Sequence, residues 1–381
     1  MTFENEESIL FAILTDCHLS FKQRIRKVHQ LIRLHFEYID RIAIALYDEN
    51  TDILKTFADS TMINLEENLH YYQAKLSQSS SLTELMRARQ PRVINQLHTF
   101  DSSEKKHTQH ITTHYQASYT LPLYQQGHFF GFVFFNSTQS NVFTKKILYY
   151  LNLFGHLIGF ALSNEMQRVH TLQAAVKSAS NMALQRDFET GCHIERTAHF
   201  SRLIAMGVAE HFGLSDELIE YIFLFAPLHD IGKIAIPDHI LLKPGKFEPH
   251  EYEIMKTHTT KGAELITDML HNFKMNYFIH SKILYDIVRS HHETLDGTGY
   301  PDQLKGEEIP LVARIISIAD IFDALTSARP YKDPWSNQEA FDLIRNLAGK
   351  KLDPICVNAF LQCSEKILEI QQQFVDGENH R

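Results

Sequence analysis

Apolar positions recur at three and four residues through Ile9, Leu10, Ile13 and Leu14, and again through Val28, Leu31 and Ile32. That is the period of a helix with one buried face, so residues 1–36 are expected to be helical. The pattern then changes. Residues 41–47 alternate as a strand, residues 48–52 carry turn chemistry, and residues 53–57 form a second strand. A further hairpin is expected from residues 119–124 and 129–135, joined by Gln125, Gln126 and Gly127. Thr144 is placed to cap a helix that starts at Lys145 and carries the apolar stretch 147–162. From 160 to 187 there is no Pro or Gly, and Leu162, Met166, Val169, Leu172, Val176 and Ala179 step by three or four, close to a heptad seam. Such a seam packs on its own chain or pairs with a twin in a homodimer. Beyond 187 nearly everything reads helical. Ser215 is a cap with Asp216 and Glu217 in the first turn, and Pro237, Pro244, Pro249, Pro301 and Pro310 mark loops.

The 381 residues suffice for two cores. A net charge of −9 argues against a broad basic surface for polymeric nucleic acid, and leaves room for a small anionic ligand in a local positive pocket. Cys17, Cys192, Cys356 and Cys363 show no paired spacing, which fits thiols in a reducing cytoplasm. Residues 147–162 are interrupted by Asn152, Gly155 and His156 and are short for a membrane span. The acidic start MTFENEES is unlike a signal peptide. A cytoplasmic protein without a membrane segment is expected.

The first part, about residues 20–165, resembles a GAF sensor domain. The likeness rests on the strand pair, a variable middle, the GFVFF hairpin and the closing helix FTKKILYYLNLFGHLIGFAL. It implies an α+β fold and a site for an unidentified small ligand. No cysteine suited to a bilin and no haem ligand set stands out.

Chemistry concentrates further on. The run HHETLDGTGYP places His291 beside His292 and ends in Gly299, Tyr300 and Pro301. Upstream, LHDIGK holds His229, Asp230 and Lys233; downstream, SIADIFDALTSARPYK holds Asp320, Asp323, Arg329 and Lys332. Imidazoles with carboxylates suit iron, manganese, zinc or nickel better than calcium or magnesium. Glu189 and His193 are four apart and share a helix face. His229 and Asp230 diverge by about 100° on a helix, so they reach two metals, with the carboxylate as a bridge. His258 arrives from MKTHTTKG, and His291 and His292 repeat the adjacent pair. Asp320 lies in an apolar helix, where a lone carboxylate is costly. Any one of these residues alone reads as packing or surface chemistry. Their gathering in one helical domain points to a metal site.

Residues of about 185–365 resemble an HD-GYP domain, a branch of the HD phosphohydrolases. The matching text includes RDFETGCHIERTAHFSRLIA, LHDIGKIAIPDHILLKPGKF, MKTHTTKGAELI and HHETLDGTGYP. The resemblance implies an all-α bundle and hydrolysis of cyclic di-GMP. It also implies the metal ligands His193, His229, Asp230, His258, His291, His292 and Asp320, with Glu189 as the extra acid of three-metal members. Two or three divalent ions are implied, iron first and manganese second. The expected organisation is a GAF-like domain at 1–160, a linker helix at 161–186 and the HD-GYP domain at 187–381, with homodimerisation through the first two. Leu295 stands where an aromatic is usual, and residues 271–286 are longer than usual.

In the expected reaction a water bridging two metals is activated to hydroxide with Asp230 spanning the pair, and it attacks phosphorus. Lys233 grips charge or protonates the leaving 3′-oxygen, and Asp323 orients a ligand or the water, or simply closes a salt bridge. Arg329 and Lys332 hold phosphate. Gly299 lets backbone approach the substrate, and Tyr300 stacks on a base. The products are pGpG, GMP or both. The alternatives are a phosphodiesterase for cyclic GMP-AMP and a non-catalytic receptor for cyclic di-GMP.

Overall fold

The computed structural model describes residues 3–62, 72–99, 113–183, 191–275, 277–327 and 333–375. The chain divides into two compact units: residues 1–168 with 215–217, and residues 169–214 with 218–381. The division falls inside the stretch expected as a linker.

The first unit is α+β, as the pattern implies. Helices α1 (Phe3–Thr15) and α2 (Phe21–Arg33) precede the sheet. Ser20 separates them and closes a capping box: its Oγ accepts from Gln23 N at 3.2 Å, and Gln23 Oε1 accepts from Ser20 N at 2.9 Å. Strands β1 (Arg41–Asp48), β2 (Ile53–Thr61), β3 (Gln73–Lys75), β4 (Arg92–Ile94), β5 (Ala117–Gln125) and β6 (His128–Ser137) form one antiparallel sheet, ordered β3-β2-β1-β6-β5-β4. The β5–β6 turn has positive φ at Gln126 (49°) and Gly127 (88°), the backbone twist a two-residue hairpin needs. Strands β3 and β4 are three residues each, too short for an alternation signal.

One face of this sheet packs Ala43, Ala45, Leu54, Phe132 and Phe134 against Leu82 and Leu85 of helix α3 (Ser80–Ala88). On the other, Phe21 of α2 meets Phe57 of β2 with ring centroids 5.6 Å apart. Helix α4 (Lys145–Ala183) lies close against β5 at Gly155 and Gly159, where an added Cβ would come within 2.5 Å of Leu121 Cδ2 and 2.7 Å of Leu123 Cδ2. These glycines read as interruptions in sequence; in space they admit the sheet. The seam residues Leu162, Met166, Val169, Leu172 and Val176 are all buried within their own chain. They cannot serve as the face of a homodimer, so the intramolecular alternative holds for this seam.

In the second unit every described segment is helix or loop. Its helices are α5 (Gly191–Phe212), α6 (Asp216–Phe225), α7 (Asp238–Leu241), α8 (Pro249–Lys256), α9 (His258–Asn272), α10 (Ser281–Ser290), α11 (Leu311–Thr326), α12 (Asn337–Leu347), α13 (Pro354–Leu361) and α14 (Ser364–Gln373). Phe200 of α5, Phe322 of α11 and Phe360 of α13 meet edge to face, with centroids 5.0–5.8 Å apart. This is the favoured arrangement for aromatic quadrupoles, and it anchors α5 and α11, the two helices that carry His193 and Asp320. No helix among the described residues is long and apolar enough to cross a membrane.

Candidate metal centre

The blocks that are far apart in sequence converge. Ligand atoms of Asp230, His258, His291 and His292 lie within 4.8 Å of one another, and so do those of His193, His229 and Asp320. His229 and Asp230 are not on an α-helix, as the 100° argument assumed. They occupy the turn between two 3-10 segments, Ala226–Leu228 and Ile231–Ala235. The two side chains still part, one into each cluster. His291 and His292 instead enter the same cluster, because α10 ends at Ser290 and the chain turns there.

Asp230 joins the clusters. Its Oδ1 is 3.1 Å from His258 Nε2 and 3.5 Å from His291 Nε2; its Oδ2 is 3.3 Å from His229 Nε2 and 2.8 Å from Lys233 Nζ. Asp320 Oδ1 stands 3.8 Å from both His193 Nε2 and His229 Nε2.

The outer nitrogens are tied back. Nδ1 of His229 donates to the Ala226 carbonyl at 2.8 Å, that of His258 to Met255 at 2.8 Å, and that of His291 to Ile287 at 3.0 Å. His193 Nδ1 donates to Asp323 Oδ2 at 2.7 Å. A ring that donates through Nδ1 keeps its lone pair on Nε2. Four such lone pairs therefore face inward among carboxylates, the donor set of a divalent transition metal with its outer partners in place. The residues fit the ions that the fold implies.

Electrostatics agree. Burial pushes the Asp230 carboxyl up, but the Lys233 ammonium beside it outweighs this and holds the group well below the usual carboxylate range. Burial lowers His291, and burial with the neighbouring His291 lowers His292 further, so both rings stay neutral and available as ligands.

Two tight contacts missed by sequence reasoning set this geometry. Gly232 lies against α9: a Cβ there would come within 1.8 Å of His258 O and 2.6 Å of Gly262 N. The backbone contact brings Asp230 to His258. Its only trace in sequence is a glycine in each of LHDIGK and MKTHTTKG. Glu293 is buried, accepting from Asp302 N at 2.7 Å and Leu304 N at 3.1 Å, and so pins the loop that carries Tyr300. Nothing in its position after two histidines marks it.

Tyr300 packs on His292 with centroids 4.8 Å apart, and Lys256 Nζ lies 5.8 Å from its ring. Burial, then Tyr252, pushes its phenol up, so it remains a neutral donor. Gly299 has a different job from the one expected. A Cβ there would strike Thr294 N, Glu293 Cα and His292 O at 2.5–2.6 Å, so the close approach it permits is to its own loop. Asp323 is wholly buried, bound on one side to His193 Nδ1 and on the other to the Arg196 guanidinium, so of the roles expected for it those of orienting a ligand and of closing a salt bridge fit. Glu189, Arg329 and Lys332 lie outside the described residues.

With the geometry established, comparison with known proteins is informative. An HD domain model matches residues 172–355, and a GAF domain model matches residues 21–163. A probable cyclic di-GMP phosphodiesterase of Vibrio cholerae is 30% identical over 97% of this chain and 88% of its own length. The cyclic di-GMP phosphodiesterase response regulator RpfG of Xanthomonas campestris is 46% identical over 50% of this chain and 47% of its own length. The 3'3'-cGAMP-specific phosphodiesterase 2 of Vibrio cholerae is 33% identical over 59% of this chain and 42% of its own length. The chain thus spans about half the length of several curated relatives that it matches. It belongs to the HD-GYP branch of the HD-domain family and carries a GAF domain ahead of the HD domain.

Proposed function

We propose that the chain is a metal-dependent phosphodiesterase that opens cyclic di-GMP to pGpG, GMP or both. The observation that carries this reading is the inward convergence of four imidazoles whose outer nitrogens are engaged, with Asp230 reaching both clusters. Divalent ions, iron first and manganese second, would be held by His193, His229, Asp230, His258, His291, His292, Asp320 and, in a three-metal form, Glu189; when bound they supply Lewis acidity and a more acidic water.

The chain's own residues do the remainder. Asp230 keeps its charge and holds the two clusters at a fixed separation. Lys233, 2.8 Å from Asp230 and partly exposed, offsets phosphate charge and delivers a proton to the leaving 3′-oxygen. Tyr300 presents a neutral hydroxyl and a ring face to a base. Arg329 and Lys332 grip phosphate, the first through a planar fork.

The reading is tested with full-length, metal-loaded protein. His229→Ala with Asp230→Ala is expected to abolish turnover of cyclic di-GMP and to lower bound metal while the GAF unit stays folded. Full activity in that variant would sink it. A preference for cyclic GMP-AMP is the second reading, favoured by the 33% identical relative named for that substrate. Parallel assays on both dinucleotides separate the two.

The GAF unit serves as the regulatory input, through a small ligand or a homodimer. Tyr149, Leu153 and Phe160 of α4 are exposed at spacings of four and seven, and this stripe is our dimer face in place of the buried seam. Tyr149→Glu with Phe160→Glu would then yield monomers in sedimentation; an unchanged mass would remove that face. None of the four cysteines is in a disulfide, which suits a reducing cytoplasm.

A further inference from the structure

We propose that Arg196 is a positioning residue for the cation site at His193, His229 and Asp320, acting through Asp323 and tied to the end of helix α14. The proposal rests on the metal-dependent reading above.

Arg196 and Asp323 are both buried, at 4% and 0% exposure. Arg196 Nε donates to Asp323 Oδ1 at 2.6 Å, and a terminal nitrogen donates to Oδ2 at 3.1 Å and to Ser327 Oγ at 2.7 Å. The same Oδ2 accepts from Ser327 Oγ at 2.9 Å and from His193 Nδ1 at 2.7 Å. Asp323 is thus a carboxylate clamped from one side by a guanidinium fork and presented on the other to a metal-ligating imidazole. A fork of this kind fixes both the charge and the plane of the carboxylate. The carboxylate in turn fixes the tautomer and tilt of His193 and raises the basicity of its Nε2, which looks toward Asp320 and His229.

The clamp has an outer anchor. The remaining terminal nitrogen of Arg196 donates to the Phe374 carbonyl at 2.7 Å. Cys192, Arg196 and His199 stand four and three apart on α5, so they share a face. Each touches one of two adjacent residues: Arg196 reaches Phe374 as above, Cys192 Sγ donates to the Val375 carbonyl at 3.5 Å, and the His199 ring stacks on Phe374 with centroids 5.0 Å apart at 27°. The C-cap of α14 therefore holds the guanidinium that holds the carboxylate that orients His193. The cluster of Asp230, His258, His291 and His292 has no member in this chain of contacts. The two cation classes differ in what supports them.

The test is Mn(II) titration of the metal-free, full-length protein by calorimetry, with thermal melting followed alongside. Asp323→Asn keeps shape and removes charge; Arg196→Lys keeps charge and removes the fork. Both are expected to weaken the cation class that includes His193 by about 10–100-fold, leaving the other class at wild-type affinity. Wild-type affinity in both classes, or equal weakening of both, would overturn the proposal, since a merely structural ion pair has no reason to distinguish them. Should those two variants fail to fold, Ser327→Ala removes only the hydroxyl that accepts from Arg196 and donates to Asp323, and leaves the ion pair itself in place. A smaller loss confined to the same class supports the proposal, and no selective loss overturns it. Absence of any divalent binding by the wild-type chain would instead sink the metal-dependent reading itself.

Discussion

The Nε2 atoms of His258 and His291 face each other at 3.5 Å, while each ring donates its Nδ1 proton to a backbone carbonyl. Two lone pairs at that separation repel unless a cation lies near both, and Asp230 Oδ1 sits within 3.5 Å of each. His258→Ala is therefore expected to remove the cation of that cluster and reduce turnover by more than about 100-fold, the scale at which even outer partners of a metal act. Elemental analysis beside a rate assay checks it; undiminished metal content would show that His258 is not a ligand.

The crossing of Gly232 and Gly262 leaves no room for a side chain. Gly232→Ala would drive a methyl into the His258 carbonyl and part the Asp230 turn from α9. Overpacking of this kind costs about 3 kcal/mol. The expected result is a lower melting temperature for the HD unit together with weaker metal binding. Gly262→Ala meets a valine side chain first, at 2.7 Å from Val288 Cγ1, and should be milder. Equal stability in both variants would contradict the steric account.

Glu293 holds the Tyr300 loop through two backbone amides. Glu293→Ala leaves those donors without their acceptor and should cost about 2 kcal/mol of local stability. If, as proposed, Tyr300 receives a base of the substrate, KM should rise more than kcat falls. A fall in kcat alone would place Glu293 in the chemistry instead.

His29, in the core of the GAF unit, bonds Ser60 Oγ and the Ile39 carbonyl, each at 2.9 Å. Burial lowers its pKa to about 4; the Ile39 carbonyl opposes and Arg33 assists. Between the ordinary value near 6.5 and about 4, the unfolded chain takes up a proton that the folded chain refuses, so stability rises with pH across that window. The contribution is present in full above about pH 6.5 and is lost on acidification toward pH 4, to a total of about 3 kcal/mol. Denaturant titrations of wild type and His29→Gln from pH 4 to 7 should show a shallower acid limb in the variant. Parallel curves would exclude His29 as the source.

Local periodicity made most of the fold legible. Three-and-four spacing marked α2 and α4, alternation marked β1, β2, β5 and β6, and Ser215 with two acids marked the start of α6. Strands β3 and β4 escaped because three residues carry no period. The donor residues were legible because histidine and aspartate concentrated in apolar helices are costly without a common purpose. Which donors share a cation was not. The helical rule sent His291 and His292 apart, whereas the end of α10 turns both into one cluster.

Residue chemistry alone determined that this chain carries an imidazole–carboxylate centre on a helical domain behind an α+β domain. Only the tertiary structure decided that His291 and His292 share one cluster, that Asp323 stands behind His193 with Arg196, that Gly299 lies against its own loop, and that the seam of α4 is buried inside the chain. The reason is range. Periods and caps are set by neighbours a few residues away, while these contacts join groups as far apart in sequence as His193 and Asp323, 130 residues, and such meetings exist only once the helices have packed.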